Sequence, residues 1–439
     1  MHSYYLLAEV TIAPMSFTTG FFLFLAVGMA LAFEFVNGFH DTANAVATVI
    51  YTHSLKDKVA VVWSGLWNLM GVLASNGAVA FGIVSLLPVE LVLNVGSAAG
   101  FAMVFSLLLS AIIWNVGTWY FGLPASSSHT LIGSIMGVGI GNAIMNGRPM
   151  SAGINWTKAT EVAESLLISP LVGFVCAAAL LLLAKALIKK PELYQAPDKD
   201  KAPPLWIRSI LIATCTGVSY FHGSNDGQKG MGLIMLILVG ILPSSFALKM
   251  SSDAEALRKM SGASHALTQS FEKRANGVTV TEKEATTELF SFVKASGKLS
   301  DKTFAALAEK NRENVASLDK VKTFDDLTEI ERRDVRENFY LTASAIDKLT
   351  KTKQFPEESE AKAAKELKQN LDRATKYVPD WVKVAIALAL GLGTMIGYKR
   401  IVVTVGEKIG KAHLTYATII RPLAPQHQLV MSIAGIVLR

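Results

Sequence analysis

Asn37-Gly38-Phe39-His40-Asp41-Thr42-Ala43-Asn44 stands between two strongly apolar segments, with no polar loop to carry it. A carboxylate at membrane depth is expensive, so its presence marks a functional site by default. The pattern returns at His222-Gly223-Ser224-Asn225-Asp226-Gly227-Gln228-Lys229-Gly230. Both copies share the frame G-x-[H/N]-D, and each follows an apolar run of about the length that spans a bilayer. One Asp in a hydrophobic segment is compatible with helix packing alone. Two in matching frames point to an internal repeat built around a pair of acids.

Outward from these motifs the chain is clustered in its hydrophobicity. Apolar runs fall at 17–36, 59–87, 101–121, 130–147, 165–188, 205–222, 231–248 and 382–398, in a chain that is 51% hydrophobic with mean hydropathy +0.38. This composition reads as an all-α polytopic membrane protein. Met1 to Ser16 holds no Lys or Arg, so it lacks the basic start of a cleavable signal peptide, and the first run reads as a retained helix. Cys176 and Cys215 both lie in apolar runs and read as buried small hydrophobes, with no disulfide framework and no metal site. The net charge of +7 fits basic loops or an anionic cargo and is no sign of nucleic-acid binding.

The motif is expected to break the first helix, since 43–52 is too short to span by itself; discontinuous helices place backbone dipoles at a transported ion. Pro124-Ala125-Ser126-Ser127-Ser128-His129-Thr130 precedes a Gly-rich apolar stretch and reads as a helix N-terminus, where hydroxyls and free N–H groups make an anion site. Lys185, Lys189, Lys190, Lys199, Lys201 and Arg208 mark a cytoplasmic loop, against an outside N-terminus. The two halves would then start on opposite sides, as an inverted-topology repeat requires. Five segments follow: a first repeat at 1–188, a basic linker at 189–204, the start of a second repeat at 205–250, a hydrophilic helical insertion at 251–378, and an incomplete remainder at 379–439. Within the insertion, Phe339, Thr342, Ile346 and Leu349 share a helical face, and no site motif occurs.

Chemically, an anion carrier must replace water around its cargo without a charge so strong that the cargo never leaves. Asn44, Ser126, Ser127, Ser128, Thr130 and Asn225, with Lys229 offsetting charge, suit substrate binding; Thr42 and His222 are weaker candidates. Asp41 and Asp226 would hold the coupling cation, with His40 and His129 as proton relays.

These residues resemble the inorganic phosphate transporter (Pit/PiT) family, whose inverted halves each carry a G-A-N-D-x-x-N-A-type motif and a P-x-S-S/T-T-H-type motif. Gly38 to Ala45 and Gly223 to Gly230 match the first, and Pro124 to Thr130 matches the second. His40 and Lys229 depart from the consensus Asn and look like the bacterial low-affinity branch. The resemblance implies symport of phosphate with H+ or Na+, as the free anion or a neutral divalent-metal complex, in the inner membrane, with no cofactor and no enzymatic activity. Homo-oligomers are compatible with it. The spacing from Asp41 to His129, carried past the insertion, places the second serine-rich motif near about residue 442, beyond Arg439. Nothing from Thr418 onward matches the pattern, so the resemblance stops at about Leu414 and a truncated or altered C-terminus is expected. Alternatives are a transport-inactive membrane protein, a divalent-cation carrier and, against the duplication and the lack of a nucleophile elbow, a membrane-embedded hydrolase using His40 and Asp41 with Ser127 or His129.

Overall fold

The computed structural model describes residues 16–75, 77, 80, 98–154, 156–190, 202–293 and 297–405. Among these the regular elements are helices: α1 (Phe17–Tyr51), α2 (Asp57–Ala74), α3 (Ala98–Tyr120), α4 (Ser127–Met145), α5 (Trp156–Leu187), α6 (Leu205–Ile241), α7 (Ala254–Arg274), α8 (Glu282–Val293), α9 (Thr303–Leu318), α10 (Glu329–Lys351), α11 (Glu358–Thr375), α12 (Asp380–Ile396) and α13 (Lys399–Val403), with a few single turns between them. Three of these, Phe17–Tyr51, Ala99–Tyr120 and Ala159–Leu187, are long and apolar enough to cross a membrane, and α12 joins α11 at a bend of 73°. Exposed side chains such as Phe24, Ile113, Leu167, Leu171, Phe174 and Leu182 form the apolar surface that lipid covers.

The first motif does not break its helix. α1 is continuous for 35 residues, roughly 50 Å, which exceeds the ~30 Å hydrocarbon core. The second motif likewise lies inside α6, a single 37-residue helix that joins the run 205–222 to the first part of the run 231–248 and ends at Ile241. The reason is that the glycines serve as notches and not as breaks. A Cβ on Gly38 would stand 2.5 Å from Thr394 N on α12, and a Cβ on Gly223 would overlap the backbone of Asn68 on α2. Helices in lipid gain little from apolar contact with one another, so close backbone approach at small residues is what holds them together.

Four helices form the centre. α2 runs alongside α6 in the same direction, since Trp63 Nε1 donates to Thr216 Oγ1 (2.7 Å) and, further along both, Ser75 packs on Met231. α1 and α6 run in opposite directions: Arg208 Nε, at the start of α6, donates to Ser54 O just past the end of α1 (2.7 Å). α3 packs on α1 through Phe22, Phe101 and Phe105, and α4 packs on α3.

Helices α7 to α11 enclose a separate core that includes Phe271, Phe324, Phe339, Ile346 and Leu371. Phe339, Thr342, Ile346 and Leu349 are all fully buried, as their helical spacing predicts. Two of these helices start with clear side-chain caps: Thr328 and Glu331 form a capping box on α10, and Asp253 accepts from Ala256 N at 2.8 Å on α7. Cys215 is buried, but Cys176 is exposed, because it lies on α5, most of whose side chains are uncovered.

Candidate functional site

Polar side chains converge where α1, α2, α6 and α12 cross. Lys229 Nζ lies 2.6 Å from Asp226 Oδ1, three residues back on α6, and also donates to Ser128 Oγ in the first turn of α4. Asn37 Nδ2 donates to Asp226 Oδ2 (3.4 Å) and to Glu34 Oε2 (3.2 Å). His222 donates from Nδ1 to Asn68 Oδ1 (2.8 Å), which turns Nε2 toward Asp226 Oδ2 at 3.4 Å. With Nδ1 committed, that last contact becomes a hydrogen bond when the His222–Asp226 pair holds one further proton. Asn68 Nδ2 donates to Thr394 Oγ1 (3.1 Å), and Thr42 Oγ1 donates to Thr394 O (3.1 Å).

The burial is deep. Glu34, Asn37 and Thr394 are 0% exposed and Asp226 1%. A buried ion pair is tolerated only when its remaining lone pairs and protons are satisfied; here Asn37 and Ser128 supply hydrogen bonds, and His222 adds one when the His222–Asp226 pair holds a further proton. Lys229 is held within one turn of Asp226 by helical geometry alone, since residues three apart share a face.

The serine-rich stretch starts a helix as its composition predicts. Ser126 caps α4 by accepting from His129 N (3.4 Å), and the hydroxyls fan out from there. Ser128 turns inward to Lys229, and Ser127 is buried with its Oγ unpartnered. Ser126, His129 and Thr130 line a groove of about 1150 Å³ between α3 and α4, with Ser106, Ser110 and Asn142 further along it. The first turn of α4 thus touches both the acidic centre and a largely apolar groove into which several hydroxyls and His129 project. Such a turn offers N–H groups and a positive dipole end to an anion.

The remaining sequence-predicted residues scatter. His40 is buried away from the centre, its Nε2 donating to Asn115 O on α3 at 2.8 Å. Asn44 and Asn225 are half-buried on α1 and α6. Asp41 lies on α1, and its side chain falls outside the described residues, as does the tail from Thr418. Glu34, Asn37, Asn68 and Thr394 belong to the centre and were not among the predicted site residues. For Glu34 a signal existed, a lone acid inside an apolar run; Asn68 and Thr394 sit in ordinary-looking helices and show nothing in sequence.

Comparison with known proteins bears on what this centre does. The Phosphate transporter family profile matches residues 37–436. That match includes the stretch from Thr418, which corrects the expectation that the resemblance ends near Leu414. The low-affinity inorganic phosphate transporter PitA of Escherichia coli is 41% identical over 92% of this chain and 83% of its own length. PitB of the same organism is 39% identical over 91% and 82%. The low-affinity inorganic phosphate transporter of Buchnera aphidicola from Acyrthosiphon pisum is 40% identical over 90% and 81%. No solved structure matches the chain. The relatives are transporters and not enzymes, and this chain belongs to the Phosphate transporter family.

Proposed function

We propose that the chain carries inorganic phosphate across the cytoplasmic membrane together with a proton, by alternating access between two inverted halves. The observation that carries the reading is the Lys229 ammonium shared between Asp226 and Ser128. A phosphate oxygen replacing Ser128 on Lys229 would gain that cation, the α4 hydroxyls and the α4 helix end at once. Asp226 and His222 would hold the accompanying proton, so that cargo and carrier do not add a net charge to a buried site.

Packing supports the inverted relation. The spacing between Asp41 and Asp226 is 185 residues, and it carries Gly38 onto Gly223 and Phe35 onto Tyr220. In one half a Cβ on Gly393 of α12 would overlap Phe35 O; in the other, a Cβ on Gly71 of α2 would overlap Tyr220 O. Each motif helix is therefore notched against the second helix of the opposite half, and the two motif helices run antiparallel. A two-fold axis in the membrane plane produces that arrangement.

Labelled phosphate uptake, in cells lacking their own phosphate carriers, tests the reading against a Ser126→Ala, Ser127→Ala, Ser128→Ala triple variant. Saturable uptake that the triple variant loses is expected. Uptake of labelled divalent cations without phosphate, unaffected by the triple variant, would replace phosphate by a metal cargo.

A further inference from the structure

The acid that the motifs leave unaccounted for is Glu34. Its carboxylate is fully buried, accepts one hydrogen bond from Asn37 Nδ2 through Oε2, and has Oε1 without a partner. Asn37 is also fully buried, and its Oδ1 is equally without a partner. Both orphaned atoms are lone-pair acceptors, so what the pair lacks is a donated proton or a cation, never an acceptor. Two orphaned acceptors are enough to place a proton. They are far short of the roughly six oxygens that a hard metal ion takes.

Glu34 is also where the two halves differ. The 185-residue shift carries Glu34 onto Ser219 and Asn44 onto Lys229. One half has gained an acid and the other a base, so across the pair the added charges cancel. The room for Glu34 comes from the opposite half, because a Cβ on Gly230 of α6 would overlap Glu34 Cγ. Asn37 then links Glu34 to Asp226 through one carboxamide nitrogen, at 3.2 and 3.4 Å. The charged and titratable groups acting on Glu34 are Asp226, Lys229 and His222 on α6; from α12, the apolar Ile386 lies with Glu34 against Gly230.

We infer that Glu34 is a proton-carrying residue of the transport cycle, exchanging a proton with the Asp226–His222 pair, whose Asp226 shares the Asn37 carboxamide donor with it. The inference rests on the proton-coupled reading above. Loading places a proton on Glu34 Oε1 beside a cation-paired Asp226; release leaves Glu34 ionised and the cargo site without its proton, which is the state that must return empty.

Gln at position 34 copies the protonated acid and cannot release. A carrier fixed in the loaded state exchanges cargo across the membrane but cannot complete the empty return. In reconstituted vesicles, Glu34→Gln is therefore expected to keep exchange of labelled for unlabelled phosphate within about twofold of the wild type. Net uptake driven by a pH gradient should fall by at least about tenfold, and Glu34→Asp should restore part of it. Net uptake equal to the wild type would overturn the inference, because no proton would then be needed at Glu34. Loss of exchange and net uptake together would also overturn it, by reducing Glu34 to a packing residue. Failure of the underlying reading is distinguishable, since it shows as a wild type with no pH-driven uptake.

Discussion

Asn37 on α1 donates to Asp226 on α6 across 3.4 Å, joining two helices whose contacting residues are 189 positions apart in the chain. The carboxylate of one motif is thus held by the helix that carries the other motif. Neither motif is a site alone, and the contact brings the two motif helices together in one polar centre.

The Lys229–Asp226 pair should behave as a buried ion pair. Lys229→Gln or Asp226→Asn alone leaves an uncompensated charge and costs about 3–5 kcal/mol, whereas the double variant removes both charges and recovers most of that loss. Thermal unfolding of the four purified proteins in detergent checks this by a double-mutant cycle. Transport should not recover with stability, because the double variant lacks both the cation and the acid.

The motif glycines should be intolerant for steric reasons. Gly38→Ala places a methyl group 2.5 Å from Thr394 N, and Gly223→Ala overlaps Asn68, so each should cost about 1–3 kcal/mol or more in helix packing. Gly28→Ala and Gly217→Ala meet nothing within 4 Å and should be neutral or slightly stabilising by helix propensity. Melting temperatures of the four variants separate the two classes.

The insertion should lose its caps in acid. Glu284 and Glu331 hold the backbone N–H of Thr281 and Thr328, at 2.9 and 2.8 Å, and Asp326 holds those of Thr323 and Lys322 at 3.0 and 2.8 Å. These bonds lower each carboxyl below its ordinary value of 4.5 or 3.8. A group depressed on folding contributes stability above its unfolded pKa and loses it as pH falls through the folded one. Hydrogen exchange on the full chain should therefore show the first turns of α8 and α10 opening as pH drops below about 4.5, ahead of the α10 face around Phe339.

Lipid exposure distinguishes the two thiols. Cys176 faces outward from α5, whereas Cys215 is 2% exposed in the α1–α2–α6 packing. A membrane-permeant maleimide should label Cys176 first, and Cys176→Ala should remove the fast phase of labelling read by mass spectrometry.

What sequence alone shows here follows from where the physics is local. Apolar runs, the cap at Ser126 and the buried face of α10 are set by residues within one helix, and each appears as expected. The continuity of α1 and α6 was hidden, because a glycine beside polar residues reads equally as a break or as a notch, and the partner that decides it, Thr394, is 356 residues from Gly38. Asn68 and Thr394 were hidden for the same reason: their polar groups gain meaning only from His222 and Thr42 on other helices. Glu34 was visible as a charge in an apolar run, but its tie to Asp226 through Asn37 was not.

The most direct measurement is labelled phosphate accumulation by cells whose only phosphate carrier is this chain, beside the same cells carrying Asp226→Asn at equal membrane abundance. The account predicts accumulation with the wild type and, with Asp226→Asn, a fall of at least about tenfold to near background. Equal accumulation by both, or none by the wild type, would contradict it.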